Sequence, residues 1–287
     1  MQTAGQIRTQ KRVATIQDIS CYGRCSLTVA LPVISAAGVE VCPIPTAVLS
    51  THTGGFPEFS FCDLTENIAC ISDHWHKLGL GFDAIYTGYL ASERQIDIVE
   101  NFISRFRAEN TTVITDPAMA DNGELYSGFD KGFVRKMSKL CKKSDIIIPN
   151  LTETALLLDE NFEKTYDMEY IKACLVKLAD IGAKNVVITG VCPSEEEIGA
   201  ALYLSESKRF GFAFTEKTGS DFHGTGDIFA SVITAAVTRG ISLEGAVRIA
   251  VDFVSDCIKS TADDSSLDPR GGVRFELCLK SLIEKLD

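Results

Sequence analysis

Short apolar runs closed by polar or glycine-containing breaks alternate with longer stretches of helical spacing along most of this chain. Residues 13–17 form a compact β-branched run, 24–37 carry apolar positions three and four apart, and 39–48 return to extended character, which predicts an opening β-α-β unit. The alternation continues. Residues 84–87, 112–115, 145–148 and 184–189 predict short buried strands, and 64–78, 91–108, 131–141 and 168–181 predict the helices between them. Strands separated by helices of this length need crossover connections, so the sheet is expected to be mainly parallel and covered on both faces. That is a three-layer α/β/α arrangement, with ligands beyond the C-terminal ends of the strands.

The texture changes after residue 190. Residues 198–204 and 208–214 alternate like an antiparallel pair joined near Ser205, Glu206 and Ser207, and helices are predicted at 226–239, 243–260 and 273–286. No internal repeat, low-complexity tract or linker divides the chain. The polar stretch 1–12 is expected to be a flexible tail, and 13–287 one α/β domain.

Composition narrows the function. With 287 residues, 45% apolar and 23% charged, the chain can bury a full core. A formal charge of −11 and a pI near 4.9 argue against binding nucleic acid or an anionic membrane surface by bulk electrostatics. An anion held by such a chain must be met by backbone N–H groups, a helix N-terminus or a metal, which points to nucleotide phosphates. No apolar run reaches the ~18 residues of a membrane span, and the polar start lacks the apolar core of a signal peptide, so a cytoplasmic protein is expected. The ten cysteines are scattered, several through predicted core segments (Cys42, Cys141, Cys174, Cys257), and read as reduced thiols. Cys21, Cys25, Cys62, Cys70, His74 and His76 match no zinc spacing.

Polar residues collect where the predicted strands stop. Asp18 and Ser20 follow the first, Thr51-His52-Thr53-Gly54-Gly55 the second and Thr87-Gly88-Tyr89 the third; Asp116-Pro117, Pro149-Asn150 and Thr189-Gly190 end the next three. In a parallel sheet these positions converge on one edge and outline a site. The strongest local signal is the segment from Gly219 to Asp227, ending in Gly224-Thr225-Gly226-Asp227 before an apolar helix. Glycines let the backbone turn its N–H groups toward one point, and the helix N-terminus adds partial positive charge, making an anion cradle. No Gly-Lys-Ser/Thr follows, so this is not a Walker A loop, and a dinucleotide-binding glycine motif would need an opening strand that is missing here. The bland alternative is an Asp that only caps the helix.

These residues carry a resemblance. Gly224-Thr225-Gly226-Asp227 before a C-terminal helix resembles the signature of ribokinase-like kinases, and the other loops resemble the pyridoxal kinases within it: Ile16-Gln17, His52-Thr53-Gly54, Thr87-Gly88-Tyr89, Asp116-Pro117 with Asp121 and Tyr126, and Pro149-Asn150 with Glu153. The likeness runs in order from about Val13 to the helix after Asp227. It implies ATP-dependent phosphorylation of the hydroxymethyl group of a vitamin B6 vitamer, with Asp227 as the base and Gly224, Thr225 and Gly226 around the phosphate. It also implies Asp116 and Glu153 near a Mg²⁺ that travels with ATP, Asn150 and Thr189 at the nucleotide, and Asp121 to Tyr126 as a flap over ATP. Thr53 and Tyr89 fall to the pyridine ring, with Asp18 and Ser20 on the same substrate side. A homodimer is implied as well, and a monovalent cation requirement stays open.

Two positions depart from that pattern. Pyridoxal kinases usually show Ser-His after Ile-Gln, whereas this chain has Asp18-Ile19-Ser20, which bears on the preferred vitamer; Ile148 stands where a polar residue often precedes Pro-Asn. The nearest rival is a hydroxymethylpyrimidine kinase of the same fold, which usually carries Cys where this chain has Asp227. A non-catalytic vitamin carrier is the rival from another class, and it would need no phosphate cradle.

Overall fold

The chain enters the fold with β1 (Arg12–Ser20), whose residues are shared between two apolar layers: Val13 joins one, and Ala14 and Ile16 the other. Burial on both faces is what a central parallel strand requires. α1 (Leu27–Ala36) crosses to β2 (Glu40–Leu49), which lies parallel to β1 with Val13 beside Val41 and Ile16 beside Ile44. Pro43 and Pro45 fit in β2 because its outer edge is unpaired there; β3 (Phe61–Asp63) reaches only Ala47, Val48 and Leu49.

The chain then builds the other side of β1. α2 (Thr65–Lys77) leads to β4 (Ala84–Thr87), and α3 (Glu93–Phe106) to β5 (Thr112–Thr115). A small hairpin of β6 (Ala120–Asp121) and β7 (Glu124–Leu125) precedes α4 (Lys131–Cys141) and β8 (Ile146–Ile147); α5 (Leu151–Leu157) and α6 (Met168–Asp180) lead to β9 (Asn185–Val191). β10 (Glu197–Leu204) and β11 (Arg209–Glu216) follow as an antiparallel pair. The nine-stranded sheet has the order β11-β10-β9-β8-β5-β4-β1-β2-β3, parallel from β2 through β9. The last part of the chain is helical, with α7 (Thr225–Thr238), α8 (Leu243–Ala262) and α9 (Leu279–Leu286).

This computed structural model describes residues 10–218, 222–262, 264 and 268–287. Residues 1–9 of the expected tail and Gly219, Ser220 and Asp221 of the glycine segment lie outside the described residues. Two apolar layers sandwich the sheet. One holds residues of α1, α7, α8 and α9 against Val13, Ala84 and Tyr86; the other holds residues of α2, α3, α4 and α6 against Ala14, Ile16 and Ile85. The expected α/β/α ribokinase-like arrangement is the one observed, with the antiparallel pair at one edge. Among the described residues no helix is long and apolar enough to cross a membrane. All ten cysteines are free thiols, Cys141, Cys174 and Cys257 buried and Cys42 partly so.

Four local expectations need correction. β1 does not stop at Gln17 but runs to Ser20, because Ile19 and Ser20 still pair with β2 and Asp18, at the irregularity between Gln17 and Ile19, is buried rather than released into a loop. The loop after Asp116 contains the β6–β7 hairpin, turned at Asn122 and Gly123, both with positive φ. α5, not predicted, starts directly after Asn150. The stretch 273–286 is not one helix: a 3₁₀ turn, Phe275–Cys278, precedes α9.

Candidate active site

β1, sitting between β2 on one side and β4 on the other, makes its C-terminal end a switch point in the strand order, where α/β folds open a crevice. Asp18 and Ser20 occupy that end, and the loops after β2, β4, β5, β8 and α7's leading turn surround it. The glycine turn is closed from behind. Gly224 is the N-cap of α7 with φ of 79°, and a Cβ on it would collide with the Arg24 carbonyl oxygen, so only glycine fits. A Cβ on Gly226 would meet nothing, so that side of the turn opens outward. The first N–H groups of α7 have no partner within the helix and lie at its partially positive end.

Asp227 lies in the first turn of α7, and Gly224 rather than Asp227 is the cap. Its carboxyl is pushed up to about 8, first by burial and then by the negative charge of Asp116, with Asp18 adding to the effect and the Ser26 backbone N–H working against it. Ser26 is itself unusual, a buried non-glycine residue at φ 49° and ψ −131°. Its strained backbone aims one N–H at Asp227, while its hydroxyl faces Asp18.

On one side of Asp227 stands Asp18. It is buried at 4% exposure, accepts a hydrogen bond from Ser20 Oγ at 2.9 Å, and is raised by burial while the Ser26 and Ser20 hydroxyls hold it down. Tyr89 senses the same charge. Its phenol is pushed up to about 12 by burial and then by Asp18, and its ring lies 5.6 Å from that of Phe129. Thr53 is exposed, whereas its neighbour His52 is buried. His52 Nδ1 accepts from the Gly54 N–H at 3.1 Å, which leaves Nε2 to donate to the Arg270 carbonyl at 2.6 Å, and its ring lies 4.9 Å from that of His223. Arg270 also covers Phe56 at 4.8 Å, so the 268–271 turn latches the loop after β2. Sequence reasoning singled out Thr53 and passed over His52, Ser26 and Arg270; a pairing 218 residues apart leaves no local signal.

The other side is acidic. Asp116 follows β5, accepts from the Ala118 N–H at 3.1 Å, and is raised by burial and then by the charge of Glu153. Glu153 is buried and raised chiefly by burial, with backbone N–H groups pulling the other way. Its Oε1 accepts from Met119 at 2.9 Å and Ala120 at 3.4 Å, and its Oε2 from Asn150 at 2.9 Å. Asn150 completes a reciprocal cap, accepting from the Glu153 N–H at 2.9 Å and donating Nδ2 to the Ala120 carbonyl at 2.8 Å. The side chains expected at the nucleotide and metal therefore already pin α5 to the hairpin. Both ends of the Asn150 amide are spoken for.

The hairpin stands over these acids. Asp121 is exposed and accepts from Asn122 at the turn, Gly123 donates to Thr152 Oγ1 at 3.0 Å, and Tyr126, exposed on the hairpin, has its phenol raised by the partial burial of its inner face and then by the charges of Glu153, Asp121, Asp116 and Asp227. Thr189 is half-buried in β9, its N–H bonded to the Pro149 carbonyl at 3.0 Å and its backbone bridged to Asn150. The structure thus brings Asp18, Ser20, Tyr89, Asp116, Glu153, Tyr126 and Asp227 around one centre, with Asn150 and Thr189 at its rim and Thr53 turned outward.

The charges raising Asp227 and Asp116 are all negative. Among the described residues no three His, Cys, Asp or Glu side chains form a ready cage for a metal ion. Buried Glu153 and half-buried Asp116, an acid pair with no cationic side chain among the groups that shift it, would fit Mg²⁺ carried on a nucleotide, which takes one or two carboxylates and otherwise phosphate oxygens and water.

Comparison with known proteins identifies relatives of the same fold. A Bacteroides thetaiotaomicron protein described as a candidate phosphomethylpyrimidine kinase, solved with pyridoxal, is 41% identical and superposes with a TM-score of 0.91 over 96% of each chain. A pyridoxal kinase from Lactobacillus plantarum is 29% identical with a TM-score of 0.88, covering 96% of this chain and 97% of its own. The Dictyostelium discoideum pyridoxal kinase is 28% identical over 78% of this chain and 77% of its own. The family model described as phosphomethylpyrimidine kinase matches residues 27–268. Because that match runs from α1 through Asp116, Glu153 and the glycine turn with Asp227, the chain belongs to the phosphomethylpyrimidine kinase family of ribokinase-like, ATP-dependent phosphotransferases that act on a hydroxyl group.

Proposed function

We propose that the chain uses ATP to phosphorylate the hydroxymethyl group of a vitamin B6 vitamer, with Asp227 as general base. One observation carries the reading: a carboxylate held near pKa 8 sits beside the open glycine turn, between Asp18 and Tyr89 on one side and Asp116 on the other. A base tuned toward neutral pH is suited to take a proton from an alcohol. The relatives described as pyridoxal kinases, and the B. thetaiotaomicron protein solved with pyridoxal, support the choice of acceptor.

In this reading Tyr89, with Phe129 behind it, offers an aromatic face to the pyridine ring, and Asp18 with Ser20 meets its polar substituents. Asp227 accepts the hydroxymethyl proton as the oxygen attacks, and the first N–H groups of α7, at Thr225 and Gly226, stabilise the charge that develops on phosphate. Mg²⁺ bound with ATP would supply positive charge to the phosphate oxygens, and Asp116 would hold it, with Glu153 behind through its hairpin. The hairpin with Asp121 and Tyr126 shields the transferring group from water, and Asn150 and Thr189 border the nucleotide through backbone and rim contacts. The same proposal takes residues 13–287 as one kinase unit acting as a cytoplasmic homodimer, on the strength of the resemblance.

Hydroxymethylpyrimidine is the second reading, favoured by the family's own description. A panel of pyridoxal, pyridoxamine, pyridoxine and hydroxymethylpyrimidine with Mg-ATP separates the two. Phosphorylation of B6 vitamers with the pyrimidine at least ~100-fold poorer in kcat/KM is expected; the reverse order replaces the reading, and no ADP release with any of the four removes it.

A further inference from the structure

Three buried polar atoms from three different elements lie together below Asp227 with no hydrogen-bond partner in the protein: Gln17 Oε1 on β1, Tyr86 Oη on β4 and Ser231 Oγ on α7. All three residues are fully buried. The fold explains why they meet. Thr15 pairs with Tyr86 across β1 and β4, and Gln17, two residues on, projects to the same face of the sheet. Gln17 is folded back along that face, its Nε2 donating to Thr15 Oγ1 at 2.8 Å and its Oε1 against Gly88, where a Cβ would come within 2.7 Å. α7 packs over β4 and presents Ser231 four residues after Asp227, one turn deeper on the same helix face. Ser231 and Gln17 are the polar side chains close enough to the Tyr86 hydroxyl to act on it, yet none of the three atoms has a partner at full hydrogen-bond geometry.

Unmet polar atoms are rare in dry cores, and three in one place on three elements call for a shared partner. The two hydroxyls can donate or accept, whereas Gln17 Oε1 only accepts. Two groups of the first kind and one of the second can close around a single water, which needs two to four polar partners. We propose that Gln17, Tyr86 and Ser231 hold one internal water that ties β1 and β4 to α7, and that through it they act as positioning residues for Asp227. The bridge fixes how deep the first turn of α7 sits on the sheet. Small displacements of a catalytic group are costly to rate, so this depth matters to turnover. The water site stands on packing alone, while its effect on turnover rests on the proposed base role of Asp227.

Tyr86→Phe, Ser231→Ala and the double variant test both halves, through thermal unfolding of the unliganded protein and steady-state kinetics. Each single change is expected to lower Tm, with the double variant no worse than the poorer single, because one shared bridge is lost once. The kcat should drop about fivefold or more with both KM values within about twofold, as for a misplaced group rather than lost binding. A crystal structure of the wild type should show a water within hydrogen-bond distance of all three atoms. Unchanged or raised Tm in the singles, fully additive losses, or no such water overturns the bridge. A Tm loss with intact kcat overturns the positioning role. If the wild type phosphorylates no vitamer, the proposed function falls, while Tm and crystallography still decide the water site.

Discussion

Gly224 and the Arg24 carbonyl oxygen share a space that has no room for a methyl group, and this one contact fixes both the turn before α7 and the loop before α1. Gly224→Ala would have to displace backbone and also place alanine at φ 79°. The expected loss is ~2–4 kcal/mol of stability together with loss of turnover. Chemical denaturation and an activity assay check it; a variant with wild-type Tm and rate would mean the turn is not held against Arg24.

Asp227→Asn keeps the size of the side chain but cannot take a proton. We expect kcat to fall by ~10²-fold or more, with ATP affinity by calorimetry little changed. Retention of more than about a tenth of kcat would remove Asp227 from the base role.

The same residue links function to stability. Its carboxyl rises from 3.8 to about 8 in the folded protein, so above roughly pH 4 the unfolded chain gives up this proton while the folded chain keeps it. The native state therefore loses stability as pH climbs through that window, in metal-free and nucleotide-free buffer. Asp227→Asn removes the penalty. Its Tm should exceed that of wild type at pH 8 by several degrees, the gap closing toward pH 4; thermal scans that show no pH-dependent gap would contradict the half-buried, repelled carboxylate.

Two acids near the phosphate side should separate by their partners. Glu153→Gln places an NH₂ where the carboxylate accepts N–H groups from Met119, Ala120 and Asn150, so it should cost ~1–3 kcal/mol and loosen the hairpin. Asp116→Asn removes repulsion instead, since Asp116 is raised by Glu153 and itself raises Asp227. It should leave Tm equal or higher and raise the Mg²⁺ concentration for half-maximal rate. Matching magnesium titrations for wild type and Asp116→Asn would take Asp116 out of metal binding.

The strands and helices legible in the sequence were those with sustained period and clear stops. β4, β5 and α4 coincide with their apolar runs, and α4 opens on Asp130, which caps it from both Gly132 and Phe133. The misses were short or long-range. β6 and β7 are two residues each, too brief for alternation to register, although Asn122-Gly123 is a hairpin signal. α5 is seven residues, and its cap, Asn150 with Glu153, was spent on a functional reading of the same two side chains. The polar ends of the strands pointed to the candidate site because a parallel sheet gathers them at one edge. Which side chain points inward was not legible, as Thr53 and His52 show: adjacent, both polar, one exposed and one locked to Arg270.

Asp18 is the departure from the family pattern that should decide the preferred vitamer. The structure rules out an Asp turned to the surface, for the carboxylate is buried beside Ser20 and Ser26, and its charge reaches both Tyr89 and Asp227. A carboxylate in that position favours a substituent that donates hydrogen bonds or is positive, and disfavours one that offers only lone pairs. The aminomethyl group of pyridoxamine is cationic, whereas the aldehyde oxygen of pyridoxal only accepts. Burial raises the Asp18 pKa, so the selectivity should weaken as pH falls and the carboxyl gains a proton that can be donated to the aldehyde. Comparing kcat/KM for the two vitamers in wild type and Asp18→Ser, the ratio of pyridoxamine to pyridoxal should drop about tenfold in the variant, the size of one charged hydrogen bond. A ratio constant within about twofold would show that Asp18 serves the Ser20 and Ser26 hydroxyls alone, and that vitamer choice lies with Tyr89 and the His52 loop.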